Sequence, residues 1–166
     1  MTKKVNEYKF LINENYQRKG VNAMNHTVRD LMSEDVVSVS PNQSVQEAAQ
    51  LMEQHDIGAI PVVENGEVKG IITDRDITLR ATADGDYNAT VAECMTQNLT
   101  IADPNMSVHE AAKVMAEHQI RRLPVVENGQ LVGMLSIGDL AIEDIYDDEA
   151  GEALQDISKP NQDNLH

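Results

Sequence analysis

The chain has 166 residues, 41% of them hydrophobic, enough to bury one compact core or two small ones, which excludes fibrous and wholly disordered classes. Lys plus Arg number 13 against 28 Asp plus Glu, and the resulting net charge of −15 repels phosphate backbones and argues against any nucleic-acid partner. Cys94 is the single cysteine, so no intrachain disulfide forms and a reducing, cytoplasmic location is expected; no run approaches the roughly 18 apolar residues of a membrane helix, and no membrane partner is expected.

Residues 1–23 hold five basic and two acidic residues around Tyr8, Phe10, Leu11, Ile12 and Tyr16, the pattern of a short amphipathic helix or an arm. Val36 to Val39 is a short β-prone run closed by Pro41. Ser44-Val45-Gln46-Glu47 has the form of a capping box, and Val45, Ala48, Ala49 and Met52 follow at the i, i+3, i+4, i+7 spacing of one helical stripe. Two strands are expected next, at Ile60–Val63 and Val68–Ile72, joined through Asn65-Gly66, whose tolerance of positive φ suits a tight hairpin. A second helix is expected from about Thr73, followed by a short polar linker over 83–88.

The same series then returns 63 residues later. Pairing Val28–Ile77 with Val91–Leu140 without gaps gives 20 identities in 50 positions, and Pro61 to Gly66 recurs whole as Pro124 to Gly129. Leu99 to Ile101 echoes the first β-prone run, Ser107-Val108-His109-Glu110 the cap, and Val108, Ala111, Ala112 and Met115 the stripe. Strands are expected at Ile120–Val126 and Leu131–Leu135, and a helix from about Ser136 to about Asp147. The protein is thus two copies of one β-α-β-β-α unit of the α/β (α+β) class. The stretch 141–166 carries eight acidic residues and one Lys, and its end is expected to be a solvated tail.

Ile57 to Val63, Gly70 to Ile77, and their counterparts Ile120 to Val126 and Gly133 to Leu140 resemble the repeated motif of CBS domains, named for cystathionine β-synthase, whose tandem pairs make a Bateman module. The resemblance covers residues 28–140 and divides the chain into an N-terminal extension (1–27), a first CBS domain with linker (28–86), a second (87–147) and an acidic tail (148–166). It implies two units packed about a pseudo-twofold axis, with clefts that bind adenosine-containing ligands. AMP, ADP or ATP head the expectation, S-adenosylmethionine and NADH follow, and no cofactor is obligatory.

What the resemblance implies for residues is specific. Asp76 and Asp139 would accept hydrogen bonds from ribose hydroxyls, with Thr73 and Ser136 reaching ribose or phosphate; a carboxylate suits a cis-diol because it offers two acceptor oxygens and no donor. The same Thr/Ser-x-x-Asp spacing also describes a helix cap that needs no ligand. Arg75, Arg121 and Arg122 have the donor fork that matches phosphate, or they pair with surface carboxylates. They are unevenly shared, since Gly138 stands opposite Arg75 and Gly58 and Ala59 stand opposite Arg121 and Arg122. Ala59, Ile60, Pro61, Leu123 and Pro124 would wall the purine, or are plain core. His55 and His118 fall at helix ends, and Cys94, Met32, Met52, Met95 and Met115 read as core. No catalytic or metal-binding set is evident. The expectation is a non-enzymatic regulatory sensor, a homodimer acting on a protein target or on its own oligomer; the alternative is a ligand-free CBS scaffold that holds a partner.

Overall fold

The structure is a computed structural model, and it describes residues 26–141 and 147–159. The basic segment 1–23 and the last residues of the acidic stretch lie outside the described residues. Helices and two small sheets alternate as the repeat requires: α1 (Val28–Leu31), α2 (Val45–His55), β1 (Ala59–Glu64), β2 (Glu67–Thr73), α3 (Asp74–Ile77), α4 (Val91–Cys94), α5 (Val108–His118), β3 (Arg122–Glu127), β4 (Gln130–Ser136), α6 (Ile137–Ala141) and α7 (Asp147–Ile157). A π-helical turn, Thr78–Thr82, continues α3.

Local chemistry sets these elements. Ser44 Oγ accepts from the Glu47 amide at 3.2 Å while the Glu47 carboxylate accepts from the Ser44 amide at 2.8 Å, the reciprocal cap foreseen for α2. Thr90 and Glu93 do the same service at α4, where Glu93 Oε2 accepts from both the amide and the hydroxyl of Thr90 at 2.7 Å. Hydrogen bonds from Ser44 and Thr90 hold the Glu47 and Glu93 carboxyls below their ordinary range. Asp56 and Gln119 close α2 and α5 in the left-handed conformation, φ 53 and 52. Asn65 and Gly66 (φ 55 and 84), and Asn128 and Gly129 (φ 52 and 80), have the paired positive φ of a type I′ hairpin turn.

β1 and β2 pair antiparallel, with Ala59 opposite Thr73, Ile60 opposite Ile72 and Pro61 opposite Ile71; a bulge follows Val62. β3 and β4 form the second sheet. The two early β-prone runs are not full strands. The first is reduced to one parallel bridge, Val39 with Val62, and the second has none within 99–101, its counterpart bridge falling one residue on at Ala102 with Val125. Val39 donates to Pro61 O at 3.1 Å and accepts from the Val63 amide at 2.8 Å; Ala102 repeats this with Pro124 and Val126 at 2.9 Å each. Pro41 and Pro104, two residues on, lack the N–H that would extend the ladder.

By contacts the chain falls into two compact units, which do not follow the repeat boundaries. One holds residues 32–104 and 123–135. Its core joins Val39, Val45, Ala48, Met52, Ile60, Val62, Ile72, Ala81, Ala89, Val91 and Cys94, and burial raises the Cys94 thiol above its ordinary value. Gly70 and Gly133 allow close approaches here. A Cβ on Gly70 would sit 2.6 Å from Met95 Sδ and 2.8 Å from the Thr96 carbonyl; on Gly133 it would meet Met32 Sδ at 2.5 Å and the Ser33 carbonyl at 3.1 Å. Beside them, Ile71 pairs with Thr96 and Met134 with Ser33 through reciprocal backbone hydrogen bonds of 2.8–3.0 Å. The opening residues of each copy are therefore received by the second hairpin strand of the other. The Ala89–Val91 segment likewise pairs with Gln43–Val45.

The other unit holds, among the described residues, 26–31, 105–122, 136–141 and 147–159. In it Val28 donates to Met106 O at 2.8 Å and Val108 to His26 O at 3.2 Å, the counterpart of the Ala89–Val91 exchange. The acidic stretch departs from expectation. Residues 148–166 do not begin as a solvated tail, because α7 spans 147–157 and packs on α5 and α6 with Ala150 and Ala153 buried. Ala150, Ala153, Leu154 and Ile157 form an i, i+3, i+4, i+7 stripe that the surrounding carboxylates obscure. The docking separates the two copies: Ala112 of α5 is buried, whereas its equivalent, Ala49 of α2, is exposed. Gln119 fastens the end of α7, its Nε2 donating to the carbonyls of Asp156 (3.1 Å) and Lys159 (3.3 Å). Gln119→Ala is expected to cost about 0.5–1.5 kcal/mol and to speed hydrogen exchange in α7 while β1 and β2 stay protected; unchanged exchange in α7 would count against this fastening.

Candidate functional site

The residues singled out in the sequence gather at the junctions where each hairpin ends and the next helix begins. At the first, Thr73 closes β2 and Asp76 lies three residues on, so a strand-to-helix turn brings their side chains together. Asp76 Oδ2 accepts from the Thr73 amide at 3.0 Å and from Thr73 Oγ1 at 2.7 Å, and Thr73 Oγ1 accepts from the Asp76 amide at 3.1 Å. At the second junction Asp139 Oδ2 accepts from the amide and the hydroxyl of Ser136, both at 2.7 Å, and Ser136 Oγ accepts from the Asp139 amide at 3.2 Å. Both pairs are thus complete capping boxes, each side chain half-buried, with one carboxylate oxygen engaged in the cap.

Each junction is tied to the start of its own hairpin. Asp74 donates to Gly58 O at 3.1 Å, and Ile137 donates to Arg121 O at 2.9 Å. The second tie places Arg121 beside the Ser136 cap. Arg122 opens β3, and Arg75 is the second residue of α3, its amide donating to Asp74 Oδ1 at 2.7 Å. All three arginines are exposed, and none forms an ion pair among the described residues. Their guanidinium groups retain their donors for an anion.

The apolar candidates sit deeper. Ile60 and Leu123 are 0% exposed, and Ala59, Pro61 and Pro124 are buried. The carbonyls of Pro61 and Pro124 already accept from Val39 and Ala102. Ala59 faces Thr73 across the hairpin, so this part of the wall does adjoin a cap. His55 and His118 end α2 and α5, exposed to solvent. Among the described residues no cluster of three His, Cys, Asp or Glu could hold a metal, and no helix is long and apolar enough to cross a membrane.

One contributor escaped the sequence. Arg80, on the π-helical turn, donates through Nη1 to the carbonyls of Cys94 (2.7 Å) and Met95 (3.1 Å) and lies 3.5 Å from Asp76 Oδ1. The repeat held the signal, because position 143, its counterpart, is Glu.

The model of the CBS domain matches residues 28–81 and 91–145. The chain belongs to the CBS-domain family. The pair is 52% identical over 136 residues to the CBS domain-containing protein YhcV of Bacillus subtilis, covering 81% of this chain and 97% of that one. Among solved structures, it resembles Hypoxic Response Protein I with two coordinated zinc ions (TM-score 0.66, 39% identity, 71% of this chain and 98% of that). It also resembles the CBS domain pair of protein MJ0100 in complex with 5′-methylthioadenosine and S-adenosylmethionine (TM-score 0.64, 31% identity, 70% and 93%). The two CBS matches take in both junctions, so the two caps stand at equivalent places in two copies of one domain, while the arginines differ between the copies.

Proposed function

We propose that this CBS pair is a non-enzymatic regulatory module that takes an adenosine-containing ligand at its strand-to-helix junctions and thereby modulates a protein target or its own oligomer. The observation that carries the reading is the duplicated junction itself, a capped carboxylate for a ribose diol, with Arg75 next to Asp76 in the first copy and the Arg121 carbonyl tied to Ile137 at the second. That the MJ0100 pair was solved with two adenosyl compounds supports the same ligand class here. AMP, ADP and ATP suit the arginines best, because their phosphates would engage Arg75 on the first copy and Arg121 and Arg122 on the second. S-adenosylmethionine and NADH share the adenosine moiety and belong in the same screen. A homodimer is the proposed assembly, and the cytoplasm the proposed location.

A second reading is favoured by one feature of the caps. Thr73 with Asp76 and Ser136 with Asp139 satisfy one another without any ligand, as a scaffold that merely holds a partner would require. Thermal shift separates the two. A ligand that binds only the folded chain adds about 2.7 kcal/mol at a hundredfold excess over its Kd, so at least one adenosyl compound is expected to raise the melting temperature. If none does, while Asp76→Ala and Asp139→Ala each cost roughly 0.5–2 kcal/mol as lost caps, the scaffold reading stands instead.

A further inference from the structure

Arg80 follows Asp76 by one helical turn. Its guanidinium bridges two places, the carbonyls of Cys94 and Met95 at the end of α4 and the Asp76 carboxylate. Carbonyls at a helix end lack intrahelical partners and carry the negative end of the dipole, so they hold a cation in place. Asp76 Oδ1 faces that cation at 3.5 Å while Oδ2 is occupied by Thr73, and the Asp76 side chain is only 14% exposed. Both oxygens of Asp76 are thereby committed within the protein. Asp139 has the same cap on Oδ2, but the position corresponding in sequence to Arg80 is Glu143, which supplies no cation. Among the described residues Asp139 forms no ion pair.

We infer that Arg80 is a specificity-determining residue that withholds Asp76 from a ribose diol and leaves Asp139 as the carboxylate that takes it. The inference rests on the adenosine-ligand reading above. A cis-diol donates two hydrogen bonds to one carboxylate. At the first copy it must displace Arg80 from Oδ1, exchanging one charge-assisted contact for another with little net gain. At the second copy that exchange is not required. The arginine thus selects between two junctions that share the same cap, without touching the ligand.

The decisive probe is 5′-methylthioadenosine, which has the diol and the adenine but no phosphate for Arg80 to attract. Titration calorimetry on the full chain is expected to give one ligand per chain. Asp139→Asn, which retains an acceptor for the cap, should weaken binding about 10-fold or more, and Asp76→Asn less than about 2-fold. Arg80→Gln keeps an amide donor for the α4 carbonyls and removes the charge; it should open a second site per chain, and Arg80→Lys, which keeps the charge, should not. Circular dichroism melts establish that each variant is folded, and Asp76→Asn and Asp139→Asn test the selection even if Arg80→Gln does not fold. Wild-type binding that Asp76→Asn weakens as much as Asp139→Asn does, or an Arg80→Gln protein that still binds one ligand, would overturn the inference and leave the functional reading intact. Absence of binding by 5′-methylthioadenosine, AMP, ATP and S-adenosylmethionine alike would overturn the functional reading and this inference with it.

Discussion

Ile60→Ala should lower stability by about 2–5 kcal/mol while leaving the ligand affinity of the folded fraction within about 2-fold of wild type. Ile60 is 0% exposed, on the strand face that meets Val39, Met52 and Ile72 in one buried cluster, and truncation there removes the transfer energy of three carbons and leaves a cavity besides. Denaturant unfolding would show the loss as a lower midpoint with an unchanged slope. The measurement also decides between the two roles open to Ile60. A side chain walling a purine would cost affinity on truncation; one filling the core costs stability. A variant of wild-type stability with greatly weakened binding would return Ile60 to the ligand site.

The second large effect is expected at the glycines of the second hairpin strands. Gly70→Ala places a methyl group 2.8 Å from the Thr96 carbonyl, which is backbone and already bonded to Ile71, so the chain itself must shift. Gly133→Ala meets the equivalent Ser33 carbonyl at the longer distance of 3.1 Å, its nearest neighbours being the side-chain atoms Sδ and Cγ of Met32. Overpacking of this kind costs about 1–3 kcal/mol. Gly70→Ala should fall near the top of that range and Gly133→Ala near the bottom, as read from paired melts. Pairing each with a small residue at the methionine, Gly70→Ala with Met95→Ala and Gly133→Ala with Met32→Ala, should rescue the second far better than the first. Equal costs and equal rescue would mean that the sulfur atoms, not the carbonyls, set both penalties.

What the sequence revealed and what it hid divide along a physical line. Caps and turns are decided within four residues, so Ser44 with Glu47, Thr73 with Asp76, Ser136 with Asp139, and both Asn-Gly turns were readable directly, as was their duplication. Elements decided at long range were not. Val36 to Val39 has the composition of a strand, yet only Val39 finds a bridging partner, because pairing depends on how much of β1 is presented to it. α7 reads like a tail because its carboxylates outnumber its apolar residues; of the stripe Ala150, Ala153, Leu154 and Ile157 only the two alanines are buried, where α7 packs on α5 and α6. At the junctions the Thr or Ser and Asp pairs were local and visible. The link from Asp76 through Arg80 to Cys94 and Met95 spans 14 and 15 residues beyond the arginine and had no local pattern to show it.

The exchange of opening segments bears on how such a chain arises. Residues 32 and 33 lie against Gly133 and Met134, and residues 95 and 96 against Gly70 and Ile71, so neither copy supplies its own partner. A lone ancestral copy would have had an unpaired strand edge and an unhoused N-terminus, each matching the other on a second molecule. Two such molecules would complete one another in trans, with a stability that rises with concentration. Joining them in one gene replaces that bimolecular step with a tether whose effective concentration no longer depends on expression level. It also releases the two halves from having identical sequences, and only then can a charge such as that at position 80 be kept in one half and reversed in the other.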